Sequence, residues 1–184
     1  AMGGIQGPGG CCGNNGECCE GILGKAAILE VKCMTDNAYK SDEMNEIPAS
    51  ELIDKIQKGE SLEYDHFIIK GDIDIGMLNL QRDHEKLLVA SSIKITNSRI
   101  EGFLESSNVI FKEFVDFNGT IFNQRIYFKD TQFNQSCLFS NTYFAEDTDF
   151  RNIQVIGYAS FVGSTFCSAA NFWSGHFNGD SDFS

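Results

Sequence analysis

The chain has 184 residues, enough for one domain with a small appendage. It is acidic, with 26 Asp and Glu against 14 Lys and Arg and a formal charge of -12, so its surface repels phosphate backbones and disfavours direct nucleic-acid binding. No run of about 18 apolar residues occurs, which excludes a transmembrane helix from the expected elements, and no basic flank leads into the apolar stretch of a secretory signal.

Residues 1–20 are Gly-rich, which argues against regular structure because Gly loses the most backbone freedom on folding. Within them lie Cys11, Cys12, Cys18 and Cys19. Four thiolates this close can hold zinc or another thiophilic metal, form disulfides within or between chains, or sit as free thiols on a tail. Adjacent Cys pairs are not the C-x-x-C spacing of zinc knuckles, so the three readings stay open, and no other cofactor is expected. Seven cysteines in all accord with a reducing cytosol, the favoured compartment, and also with an oxidised exterior. Ala1-Met2-Gly3 reads as a cloning remnant, and the stop at Phe183-Ser184, in mid-pattern, as truncation or processing. The apolar stretch 21–34 fits a helix or a strand equally, and Thr35 to Asn45 reads as a linker. Residues 1–47 are therefore an N-terminal segment of undecided fold.

Pro48 to Lys58 is predicted as a helix. Pro48 suits its first turn, Glu51 its positive end, Lys55 and Lys58 its negative end, and Gly59 its stop. Leu52, Ile53 and Ile56 make a narrow apolar stripe that must lie on something. Residues 48–61 thus read as a cap on the residues C-terminal to them.

From Val109 onward a phenylalanine ladder runs Phe111, Phe117, Phe122, Phe128, Phe133, Phe139, Phe144 and Phe150. It continues through Val155 to Phe161, Phe166, Phe172, Phe177 and Phe183. The steps alternate between six and five residues, and two residues before each rung sits a smaller side chain such as Val115, Thr120, Thr131 or Cys137. Projected back by 22 residues, the ladder lands on Ile95, Ile100 and Val89; a second step gives Ile73, Leu78 and Phe67. Phe128 projects onto Ser106 and His84, which predicts irregular corners there, before Leu62 restores the pattern. Residues 62–184 are therefore the repeat domain. Short strands with a turn every five or six residues cannot make a sandwich. Stacked in layers, four to a coil, they bury a continuous core with four inward columns.

Val115-Asp116-Phe117-Asn118-Gly119 and Ala170-Asn171-Phe172-Trp173-Ser174 resemble the small–polar–large–x–x unit of the pentapeptide-repeat proteins. The alternating five/six step, the leading Leu52–Tyr64 segment and the tract from Ile68 to Ile75 look like an archaeal branch of that family. The resemblance covers 62–184 well and 48–61 plausibly; it does not reach 1–47. It implies an all-β fold, a right-handed quadrilateral β-helix with a short N-terminal capping helix. The extra residue in every second unit departs from the family pattern and bears on the corners.

Chemistry is hard to find in this sequence. His66, His84 and His176 have no Cys, Asp or Glu at a recognised metal-ligand spacing and are expected to point outwards. No phosphate loop, nucleophile elbow or pocket-anchored carboxylate pair occurs, and a filled solenoid leaves no room for a substrate. Asn178 to Asp182 lacks the central Gly and distal Glu of a calcium loop. Asn118-Gly119-Thr120 and Asn134-Gln135-Ser136 match glycosylation acceptors only because corners favour Asn and inward positions favour Ser and Thr. Cys137 reads as a buried hydrophobe and Cys167 as exposed. The expectation is a non-catalytic structural or protein-binding scaffold with an unidentified protein partner. One alternative, implied by the resemblance, is an acidic DNA mimic that binds a type II topoisomerase. Against it, Arg82, Arg99, Arg125, Lys129 and Arg151 dilute the rod's charge, and much of the negative excess is placed before residue 62. The other is head-to-tail assembly into a fibre or homo-oligomer through an open C-terminal edge, with the N-terminal cysteines as crosslinks.

Overall fold

A computed structural model describes residues 44–184. They form a right-handed all-β solenoid of about six turns with one short helix near its start. In chain order round each coil the strands fall on four faces, here I to IV. Val115–Asp116, Ile121–Phe122, Ile126–Tyr127 and Gln132–Phe133 make one complete coil. Each strand pairs in parallel with its counterpart one coil away, and Val115↔Cys137, Phe122↔Phe144, Ile126↔Thr148 and Phe133↔Val155 fix the register at 22 residues.

That register places the ladder rungs directly over one another. Ring centroids stand 5.6 Å apart for Phe117–Phe139, 5.1 Å for Phe139–Phe161 and 5.0 Å for Phe161–Phe183 on one column. The other columns repeat this, with Phe122–Phe144 at 5.4 Å, Phe144–Phe166 at 4.6 Å, Phe128–Phe150 at 5.5 Å, Phe150–Phe172 at 4.7 Å and Phe111–Phe133 at 5.0 Å. Rings of neighbouring columns meet edge to face, as Phe139 does with Phe128 and Phe150. Phe139, Phe144, Phe150 and Phe161 each have a stacked ring above and below and edge contacts from the sides, both favourable geometries for an aromatic quadrupole. From Phe111 to Phe161 every rung is buried; Phe166, Phe172 and Phe177 are half-buried and Phe183 is exposed, because no coil lies over them.

The alternating step length comes from two kinds of corner. From Phe117 onward every five-residue step is a tight turn closed by an N–H to carbonyl bond three residues back, such as Thr120 to Phe117 (3.0 Å) and Thr131 to Phe128 (3.2 Å). The third residue of each such turn has positive φ: Gly119 at 69, Asp130 at 58, Asn141 at 54, Asn152 at 55, Gly163 at 66 and, as the exception in residue type, Ser174 at 58. Gly, Asn and Asp are the residues that tolerate this region. Six-residue steps turn the chain more widely and need no left-handed residue. The polar middle residue of the unit also serves the corner: Asp116, Asp149, Asn171 and Asp182 each accept the N–H two residues on. Inward hydroxyls at tight corners reach the coil below, with Thr120 Oγ1 donating to the Ile95 carbonyl (2.7 Å) and Thr131 Oγ1 to that of Ser106 (2.6 Å). Thr148, at a wide corner, has no such acceptor and is left buried without a partner.

The helix α1 (Ala49–Lys58) starts one residue later than expected, with Pro48 ending a strand, Asn45–Pro48, that pairs with Phe67–Lys70. Gly59 stops it at φ 74; the Gly59 N–H donates to the Ile56 carbonyl and the Glu60 N–H to that of Lys55, a Schellman arrangement. Its buried Ala49, Leu52 and Ile56 belong to the same core as the first coil's Leu62 and Ile73, so α1 covers that end of the rod.

The first coil corrects the back-projection. Leu62 pairs with Ile93, Ile69 with Ile100 and Ile73 with Leu104, each a step of 31 rather than 22 residues, so this coil holds nine extra. Tyr64, not Ile73, lies under Ile95; Ile69, not Leu78, lies under Ile100. The extra residues form an excursion between faces III and IV: a 3-10 turn at Ile75–Met77, then Arg82–Asp83 folding back antiparallel on Lys86–Val89 around His84. Ser106 is no irregular corner. It is a regular inward rung occupied by a small polar side chain.

Two pairs of substitutions check this packing by chemical denaturation. Phe139→Ala removes a ring with five aromatic neighbours and should cost about 3–5 kcal/mol, whereas Phe183→Ala at the open end should cost about 1 kcal/mol or less. Thr131→Val should cost about 1–2 kcal/mol by removing a satisfied donor, while Thr148→Val, stacked on Ile126, should be neutral or stabilising by up to about 1 kcal/mol. Equal costs within either pair would contradict the packing described.

Candidate interaction face

Among the described residues the interior is filled by side chains. Its void, of about 10 Å³, lies where Ser106 stands in the column of Phe128, bounded also by Leu52, Ile56 and Ile75. A space of that size is about one water molecule and far below a substrate. Cys137 lies in the wall of the core, where burial pushes its thiol up to about 12, so it is an inert hydrophobe. Cys167 is half-buried rather than exposed. His66, His84 and His176 all face solvent, and among the described residues no group of three or more His, Cys, Asp or Glu is placed to hold a metal. Cys11, Cys12, Cys18 and Cys19 lie outside the described residues.

The outside is shaped mainly by the excursion. It is held in place: the Gln57 side chain of α1 donates to the Asn79 carbonyl (2.8 Å) and accepts the Asn79 N–H (3.0 Å). Arg82 donates to the Glu85 carbonyl (2.8 Å), and Leu78 and Leu80 pack against the core. Met77 is left at the tip, 83% exposed. Beside this overhang runs face III, whose outward residues Asp74, Glu105, Tyr127, Asp149 and Asn171 are register partners in successive coils. Two adjoining open hollows that share Asp74 and Glu105 lie along this face, one of them beneath the overhang. One, of about 680 Å³, lies under Met77, Arg82 and Glu85. The other, of about 530 Å³, lies over Phe103, Tyr127, Arg125 and Glu146.

The carboxylates here divide by what they already do. Glu105 accepts the Ser107 N–H (2.6 Å). The Arg151 guanidinium, bonded to both oxygens of Asp149, holds that carboxyl below its usual range. Asp147 is likewise held low, chiefly by the Ser168 hydroxyl and the Ala169 N–H, with Arg125 at 3.8 Å adding a weaker pull. Asp74, Glu85 and Glu146 have no paired cation among the described residues. The two hollows together therefore join apolar patches, at Met77, Phe103 and Tyr127, to three carboxylates without an ion pair among the described residues.

Comparison with protein-family models, with curated proteins and with solved structures returns no match. The arrangement is thus read from its own chemistry. Sequence reasoning missed this face because the 22-residue count slides past the insertion and strikes Ile73 by coincidence. The polar run from Asn79 to Glu85, with His84 on an expected rung, was the available signal.

Proposed function

We propose that the protein is a non-catalytic protein-interaction scaffold of the pentapeptide-repeat type. The observation that supports this most is the filled interior: stacked rings occupy it, and the void of about 10 Å³ leaves all recognition to the outer surface. The small–polar–large unit supports the repeat assignment, since each of its three positions has a role in the coil: inward spacer, corner acceptor and stacked rung. A duplex-mimic reading gains something from the charge of the rod itself, because residues 62–184 hold 16 Asp and Glu against 9 Lys and Arg and so carry more than half of the net charge of -12. A mimic needs continuous rows of free carboxylates, and here Lys70, Lys94, Arg125 and Arg151 interrupt them by pairing with Glu101, Glu63, Asp147 and Asp149. The scaffold reading therefore stands first. A photo-crosslinking residue placed in turn at Met77, Lys112 and Arg125 should give discrete protein adducts in cells from at least one face. No adduct from any face, or turnover in a broad hydrolase and transferase screen, would overturn it.

A second reading, self-association, is favoured by the last coil of this chain. Strands Thr165–Phe166, Ala170–Asn171, His176–Phe177 and Ser181–Asp182 each end their sheet, and Phe183 is 52% exposed. Unpaired edges with exposed rings invite a second copy. Among the described residues α1 covers the opposite end, so two copies of this 184-residue chain would meet open end to open end as a dimer. Sedimentation of the 184-residue chain with and without reductant should then show a monomer–dimer equilibrium; a monomer at every concentration in both removes the reading.

A further inference from the structure

We propose that the hollow on face III takes an extended segment of a partner protein in which two Lys or Arg side chains, about four residues apart, flank an apolar one. This rests on the scaffold reading and specifies the partner chemistry at this face. The charge argument is direct. Asp74, Glu85 and Glu146 have no ion pair among the described residues, Arg125 lies 3.8 Å from Asp147, and Arg82 keeps its charge while donating to a neutral carbonyl, so the four lining carboxylates (with Glu105) outweigh the two guanidiniums and the hollow is net negative. A nucleic acid or an anionic membrane surface would be repelled by it. A basic side chain is attracted and selected.

The spacing follows from the coil. Asp74, Glu105 and Tyr127 occupy successive rows, and Glu146 lies at the start of the next, beside Thr148–Asp149. Three rows at about 4.8 Å make about 14 Å, which an extended chain at about 3.3 Å per residue covers in about four residues. Between the two ends the floor is mixed, with the half-buried rings of Phe103 and Tyr127 beside the Glu105 carboxylate, and Met77 overhangs the lower end. An adaptable thioether beside aromatic rings suits an aliphatic or aromatic anchor. The hollow is also formed in advance. The Gln57–Asn79 clasp and the packing of Leu78 and Leu80 fix the overhang, so little ordering cost falls on binding.

The test uses the full chain as bait for a display library of random 12-residue peptides, followed by fluorescence anisotropy with one enriched peptide. Enriched sequences should carry two basic residues about four apart around an apolar one. The double variant Asp74→Asn/Glu146→Gln should weaken binding about 10-fold or more, Met77→Ser should weaken it measurably, and added salt should weaken it for wild type but little for the double variant. Glu113→Gln, on another corner, is the control and should change nothing; thermal melts matching wild type verify that each variant folds. Enriched peptides without net positive charge, or binding indifferent to the groove substitutions, overturn the proposal. If those peptides crosslink at another face, the scaffold reading survives alone. If no peptide enriches and no face yields an adduct, both fail.

Discussion

The fold depends on aromatic rings lying one above another at the spacing of β-strands. A ring stack near 5 Å and a strand separation near 4.8 Å are close enough that the same 22-residue step satisfies both. Phe139 shows how tightly the two are linked: it stacks on Phe117 and Phe161 while its edges meet Phe128 and Phe150, so no ring can move without disturbing two columns. A slip of one residue would turn an entire face inside out, exposing a phenylalanine and burying its polar neighbour. The hydrophobic columns thus set register as well as stability.

What the columns cannot do is turn the chain, and the corners carry that work with polar groups. Asp116, Asp149 and Asp182 look like surface charge in the sequence, yet their oxygens accept backbone N–H groups at the turn into the next face. Asn141 and Asn152 supply the left-handed residue that a five-residue step requires. Part of the acidity of this protein is therefore folding chemistry. Reading its net charge as a binding signature conflates carboxylates that hold the backbone with those, such as Asp74 and Glu146, that have no ion pair among the described residues.

This division explains how far the sequence could be read. Periodicity exposes any feature that repeats: the four columns, the inward small residues and the helix with its Gly59 stop follow from spacing and from elementary turn chemistry. The two corner types were visible as alternating step lengths, but their cause lies in φ values that residue types only suggest. The first coil was misassigned because Ile73 and Leu78 are apolar for reasons of their own: Ile73 fills a different face, and Leu78 anchors the excursion. Ser106 misled in the opposite direction, being regular in position and irregular only in chemistry. The strand Asn45–Pro48 does keep the 22-residue step, to Phe67–Lys70, but it brings a single core-facing apolar side chain, Ile47, and runs straight into the helix, so it left too little pattern to read. Asp74, Glu85 and Glu146 are scattered in sequence and come together only once the coil is wound.

A rod of equivalent coils presents nearly the same surface at every level, and a partner reading only that surface would have no reason to prefer one level over another. Position-specific recognition needs a departure from the repeat, and insertions in repeat proteins commonly mark the binding face. Here nine residues depart, and the chain spends specific interactions on holding them: two hydrogen bonds from Gln57, one from Arg82, and the packing of two leucines. A loop of no consequence would need none of these. The same clasp joins the excursion to the capping helix, so the piece that closes the core at the start of the rod also positions the overhang above face III. Stability and the shape of the candidate site therefore meet at one side chain, Gln57, which lies on the solvent side of α1 and contributes nothing to the core.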